Sequence, residues 1–352
     1  MVCTLRRDMS CLRTRSQRQV ASALRTRAVR IQVDRPGFLV RPLARAPLPE
    51  FCDRPMSASP DAFSHWSRSL AHPAGRALLA GFSDDAIACV ASSLASDSGN
   101  AENSIIELAL AAVGGASGAR TEDAYAHKLT AIAREARWQC EQGEAIHFQV
   151  EGREWLSEVK EHGVLIVMPM QVCTSDAIAA VSKCFPGREV VFFGEGVSAA
   201  TYPWIDPPPV FASQGMDGVR QILRVLSTGG VFCTYPDFVY QGRGALHYLL
   251  FGRNRSMASA MLSMAMRTRA VLLPAQARLS MESMEIKIEE PLEIGTQITG
   301  EAGLRQLVGV VGGILEAQIA QNPGSWLLLN SLVAASPQMA VAGRSSQAAA
   351  RY

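Results

Sequence analysis

Met170, Cys173, Ser175 and Asp176 lie within seven positions of one another in His162–Asp176, HGVLIVMPMQVCTSD, where an apolar run passes directly into a helix start. Cys173 falls close to the N-terminus of that helix. There the dipole and free backbone N–H groups favour a thiolate, which makes it a candidate nucleophile; the plainer alternative is a buried thiol. Asp237 stands at a second strand end, in YPDF, and is either a functional acid or a turn former after Pro236. His247, in GALHYLLFG, can pair with Asp237 as acid and base, or pack at a strand edge. His162 reads more simply as a cap on the loop before Gly163. His247 and His162 are the bases that could serve Cys173.

Such groups need a scaffold, and the chain outlines one. Residues 62–118 are Ala-rich and helical in pattern, broken at Asp97–Asn100 and Gly114–Gly118. Thr121–Glu141 carries Leu129, Ile132, Ala133, Ala136 and Cys140 at helical spacing, with Gly143 beyond its end. Strand and helix patterns then alternate. Ile146–Val150 is a short strand, Trp155–Glu161 a short helix, and Val164–Met168 a fully apolar central strand. Ser175 or Asp176 is the expected cap of helix Ala177–Phe185. Glu189–Phe193 and Val231–Tyr235 are further buried strands, separated by helix Gly215–Ser227. Ala270–Leu273 follows as a strand, Met284–Glu289 alternates as an edge strand, and Leu304–Ile319 is a long amphipathic helix. The class expected is α/β: a mixed, largely parallel central sheet flanked by helices, with an N-terminal helical segment.

The expected organisation is a disordered Arg/Pro-rich leader over 1–60, an α/β domain over 61–335, and a frayed tail over 336–352. Within the domain, 61–143 is the helical part and 144–335 the α/β core. The leader holds a targeting or polyanion-binding signal, or is translated upstream of a true start at Met56. Residues 1–55 carry 12 Arg, no Lys and 4 acids, whereas the rest carries 22 basic and 28 acidic residues. A mildly acidic body argues against a nucleic-acid surface. The apolar runs fall far short of the roughly 18–20 residues a membrane span needs, so no transmembrane segment is expected; peripheral membrane contact stays open. Eight cysteines show no C-x-x-C pair and no metal spacing with the six histidines, which suits reduced thiols in a cytoplasmic protein with no metal.

From Ile146 to Leu332 the order of segments resembles the lipid A biosynthesis (lauroyl/myristoyl) acyltransferases of the glycerolipid acyltransferase-like superfamily. The matching segments are Gly163–Met170, Gly218–Asp237, the Phe251–Gly252 pair followed by an Ala-rich helix Met257–Met266, Val271–Pro274, and Pro323–Trp326. The resemblance implies an acyl donor, either an acylated carrier protein or an acyl-CoA, a small-molecule acceptor, and no further cofactor. It also implies a His-x4-Asp/Glu dyad in which the His takes the acceptor's proton and the acid orients it. In register, Met170 stands at the His position and Ser175 at the acid, with Asp176 one residue later. A thioether accepts no proton at neutral pH, so the dyad is degenerate. Shifting by one places Gln171 at the base, and an amide is no base either. The basic run expected after Trp326 and the membrane-anchoring helix are also missing, which disfavours lipid A itself as substrate.

What the resemblance retains is an acyl-handling scaffold. Asp237 matches the family's acid beyond Gly-Gly. Arg220 or Arg224 would face a phosphate or phosphopantetheine, or else form a solvated helix face. Gly252 belongs to the Phe-Gly pair, while Met261, with Met257, Met264 and Met266, would line a chain groove or fill core. Three functions follow from these residues. The first is a divergent acyltransferase, suited to a specialised-metabolite pathway, with a deep apolar groove ending at Met170, Cys173 and Asp237. The second is a catalytically inactive homologue that binds an acylated carrier or partner. The third is another α/β enzyme sharing only the fold.

Overall fold

The computed structural model describes residues 69–114, 118–140, 147–193, 210–212, 215–240, 242 and 244–334. The expected leader and tail lie outside them.

Among the described residues four helices come first: α1 (Pro73–Ala80), α2 (Asp84–Ser96), α3 (Ala101–Val113) and α4 (Thr121–Gln139). Then follow β1 (His147–Glu151), α5 (Arg153–Glu158), β2 (Val164–Val167), α6 (Thr174–Cys184), β3 (Val190–Phe193), β4 (Val210–Ala212), α7 (Met216–Ser227) and β5 (Val231–Thr234). The chain continues through β6 (Ala245–Leu250), β7 (Arg253–Ala258), α8 (Ser259–Thr268), β8 (Val271–Leu279), β9 (Ser283–Ile288), α9 (Gly300–Gln321) and α10 (Ser331–Ala334), with a 3-10 turn at Pro323–Ser325 before the last.

Seven strands form one sheet in the order β1-β9-β8-β2-β5-β3-β4. Every pairing is parallel except that of β8 with β9. β2 is central because all four of its residues are fully apolar and buried. Its alternation splits them between two cores. Leu165 and Val167 pack under the N-terminal helices with α7, α8 and α9, while Val164, Ile166 and Met168 pack under α6. Burial of each such side chain contributes about 1.5–3 kcal/mol, so β2 acts as the keel of both layers. Gly163, just before it, is required by close approach: a Cβ there would come within 2.0 Å of the Leu226 carbonyl oxygen.

Two features differ from what the sequence predicts. Met284–Glu289 was expected at an edge, but β9 lies between β8 and β1, its clean alternation reflecting one buried face. The helix expected over Met257–Met266 begins only at Ser259, because Met257 and Ala258 extend β7. That strand pairs antiparallel with β6 as a separate hairpin. The Phe251–Gly252 pair is its two-residue turn, with both residues at positive φ (51° and 69°), the geometry of a type I′ hairpin.

Candidate active site

The carboxyl ends of β2 and β5 lie side by side, since Val167 pairs with Thr234. The segments leaving them bring Met170 and Asp237 into contact. The Met170 N–H donates to Oδ2 of Asp237 at 2.8 Å, and the indole N–H of Trp326 donates to the same oxygen at 2.7 Å. Asp237 is fully buried, and its Oδ1 has no hydrogen-bond partner among the described residues. Burial raises its pKa to about 6, against the lowering effect of the Met170 and Trp326 donors and of Arg255. Arg255 donates to the Asp237 carbonyl at 3.0 Å and lies over the Trp326 ring. The chain surfaces at the next residue, where Phe238, Val239 and Tyr240 are exposed.

Asp176 has a different environment. Arg134, on α4, grips it with two bonds, Nε to Oδ2 at 2.6 Å and a terminal N–H to Oδ1 at 2.8 Å, and neither side chain is exposed. Trp138 adds an indole N–H at 2.9 Å, and the Cys173 thiol donates to Oδ2 at 3.2 Å. Arg134 also donates to the carbonyls of Ser280 and Ser283, tying α6 to the β8–β9 turn. Ser175, the other candidate for the acid position, is buried and donates its hydroxyl to Glu135 at 2.9 Å. Asp176 and Glu135 are thus committed to structure.

Neither Ser175 nor Asp176 caps α6. The helix begins at Thr174 with Cys173 in the cap position and Asp176 inside the first turn, where its charge complements the dipole. The expected Cys173 thiolate is not favoured here. Burial, then the charges of Asp176 and Glu135, push this thiol well above its ordinary range, outweighing the helix terminus.

The other candidates are scattered. His247 is exposed on β6, on the face opposite Tyr248 and Leu250, and no hydrogen bond joins it to Asp237, so the expected pair does not form. His162 is exposed, and its carbonyl accepts from Arg188. Arg220 and Arg224 sit on the solvent side of α7 in ion pairs with Asp217 (3.0 Å) and Glu189 (2.5 Å). Gly252 serves the hairpin turn. Met261 is core, its sulfur accepting from the Thr234 hydroxyl at 3.2 Å. The deep groove expected to end at Met170 does not form among the described residues. Behind β2 lies a small apolar gap of about 10 Å³ beside Met168, Ala180 and Met284. That is barely the volume one water requires.

Sequence reasoning missed His127, Arg134, Glu135 and Trp138, all on α4. His127 Nε2 lies 2.7 Å from the Gln171 carbonyl, which can only accept, so Nε2 carries the proton. Burial lowers its pKa to about 4, leaving a neutral imidazole one residue from Met170. Gln171 itself is pinned by the Ser325 hydroxyl and the Ala277 N–H. No local signal marked Arg134, because its helix face, at spacings of three, four and seven, carries His127, Thr130 and Arg137 beside Ala131 and Trp138.

Residues 212–333 match the family model for bacterial lipid A biosynthesis acyltransferase. The chain is acyltransferase-like. The matched part of this acyltransferase-like protein contains Asp237, the Phe251–Gly252 turn and Trp326, and does not extend to the Met170 segment. Among solved structures, it is similar to the 1-acyl-sn-glycerophosphate acyltransferase PlsC from Thermotoga maritima. The two are 14% identical over 61% of this chain and 83% of that one, with a TM-score of 0.32. No curated protein matches the chain. Among the described residues no His/Cys/Asp/Glu group is arranged to hold a metal, and no single helix is long and apolar enough to cross a membrane.

Proposed function

We propose that the chain is an acyltransferase with a relocated proton acceptor. It moves an acyl group from a carrier-protein or CoA thioester to a small amine or hydroxyl compound, as a specialised-metabolite pathway in the cytoplasm would require. The observation that carries this reading is the carboxyl of Asp237. Two N–H donors fix one of its oxygens, the other has no partner among the described residues, and its pKa of about 6 suits a base working near neutrality.

In the reaction, Asp237 accepts the proton of the acceptor's O–H or N–H as that atom attacks the thioester carbonyl. The tetrahedral intermediate collapses with breakage of the C–S bond, and the departing thiolate takes the proton back from Asp237. The reaction ends with an acylated acceptor, an ester or amide, and the free thiol of the donor, and no covalent enzyme intermediate forms. Met170 takes no part through its thioether; its backbone N–H orients the carboxylate.

The burial of Asp237 favours a second reading, an inactive homologue that binds the acylated carrier and leaves it intact. Thiol release from dodecanoyl-CoA and from dodecanoyl-carrier protein, with amine and alcohol acceptors and water, separates the two. The active reading expects release that Asp237→Asn abolishes and Cys173→Ala leaves intact, with no acyl adduct by intact mass. Binding of the thioester without release establishes the inactive homologue, and release that survives Asp237→Asn sinks the role assigned to Asp237.

A further inference from the structure

β1 closes one end of the seven-stranded sheet and, among the described strands, pairs with β9 alone. The pairing is parallel, and the His147 N–H donates to the Glu282 carbonyl at 2.9 Å. In a parallel ladder alternate residues bond to the same neighbour, so His147, Gln149 and Glu151 serve β9. The backbone N–H and C=O groups of Phe148 and Val150 therefore point away from the sheet, and they have no hydrogen-bond partner among the described residues. Natural sheet edges are guarded by Pro, Lys, a bulge or an inward-pointing charge. HFQVE has none of these. Its register with β9 is unbroken, and the residues it turns to the core are Phe148 and Val150.

We propose that this edge pairs with the same edge of a second copy of the chain, antiparallel about a twofold axis through Gln149. In that register the strand is complementary to itself. Phe148 falls opposite Val150 of the second copy, and the two exchange N–H···O=C bonds through the groups that face outward. The axis repeats the pair, so both outward residues of each strand are satisfied. His147 falls opposite Glu151 of the second copy, an imidazole donor against a carboxylate, and the two Gln149 amides meet on the axis. These polar pairs lie on the exposed face, while Phe148 and Val150 stay on the face that packs beneath α6.

Other registers fit less well. An axis through Phe148 or through Val150 would pair one outward residue with itself, and would set Gln149 against His147 or against Glu151. Half the main-chain bonds and the His–Glu pairs would be lost. With Gln149 on the axis, no like charges meet. A five-residue edge belongs at the small end of protein interfaces, so the dimer is reversible and forms with rising concentration. Asp237 follows β5, four strands in from β1, so the pairing does not involve the candidate active site and stands apart from the transferase reading.

Sedimentation velocity of the full chain over a wide concentration series tests this. Wild type should pass from monomer to dimer. His147→Glu sets carboxylates against each other at both ends of the interface, and should weaken association at least about tenfold. Adding Glu151→Lys to that variant restores opposite charges and should return most of the affinity. Both positions are exposed, so Tm should stay at the wild-type value. Val150→Pro removes an outward N–H without touching the β9 ladder, and should leave the chain monomeric. A wild type that stays monomeric throughout would overturn the proposal. So would a dimer that either single variant leaves unchanged, or a charge exchange that recovers nothing of what His147→Glu lost.

Discussion

The indole N–H of Trp326 reaches Oδ2 of Asp237 at 2.7 Å across 89 residues of sequence, on the same oxygen that accepts from Met170. A carboxylate so held is anchored from both the β2 loop and the C-terminal segment. Because a hydrogen bond to the ionised form favours that form, Trp326→Phe should raise the Asp237 pKa further. Its stability cost should be about 1.5–3 kcal/mol above pH 7, the range for a bond to a charged group, and smaller at pH 5. Urea unfolding at the two pH values checks this; equal costs would mean that the indole acts only by filling space.

Asp237 and His127 should pull stability in opposite directions with pH. Asp237 is raised from 3.8 to about 6, so the folded state holds the proton longer and its contribution falls as pH rises through that window. His127 is lowered from 6.5 to about 4, so the unfolded state takes the proton first and its contribution is lost as pH falls from 6.5 towards 4. Between about pH 4 and 6 the two offset each other. Relative to wild type, Tm of Asp237→Asn should therefore climb more steeply with pH across this window, and Tm of His127→Gln less steeply. Parallel Tm profiles for all three proteins would contradict both assignments.

Removing Arg134 strands a buried carboxylate. Breaking such a pair from one side costs about 3–5 kcal/mol, so Arg134→Ala should unfold at markedly lower urea. Arg134→Ala combined with Asp176→Ala should recover part of the loss, since no uncompensated charge then remains. A double variant no better than the single one would show that the Ser280 and Ser283 carbonyls, rather than the ion pair, carry the effect.

Cys173 should behave as a buried thiol. Its raised pKa and its bond to Asp176 predict alkylation by iodoacetamide at pH 8 at least tenfold slower than for a free peptide thiol. Peptide mapping of the alkylated native protein gives the rate, and labelling as fast as the free peptide would restore the nucleophile reading.

The strand at Val164 was legible because an all-apolar run between turn signals has few alternatives, and the Pro-x-x-Trp segment was legible as a pattern. What escaped was every interaction whose partner lies far along the chain. Cys173 looked activated because a helix start is a local feature. Its deactivation comes from Asp176, Glu135 and burial, and part of that set belongs to α4. The β6–β7 hairpin was hidden by Phe251 in a left-handed conformation, which bulky residues seldom adopt. His247 could be placed near Asp237 in sequence, but the pleat that turns it to solvent depends on the hairpin's register.

Arg134 also sets an order of events in time. Its partners stand 42, 146 and 149 residues away, at Asp176, Ser280 and Ser283. While the chain is being synthesised, α4 has formed its apolar face long before the β8–β9 turn exists to receive the guanidinium. Contacts of such sequence separation slow folding, because loop entropy must be lost before they form. The helical half should therefore remain loosely packed, and open to chaperones, until residue 283 has left the ribosome.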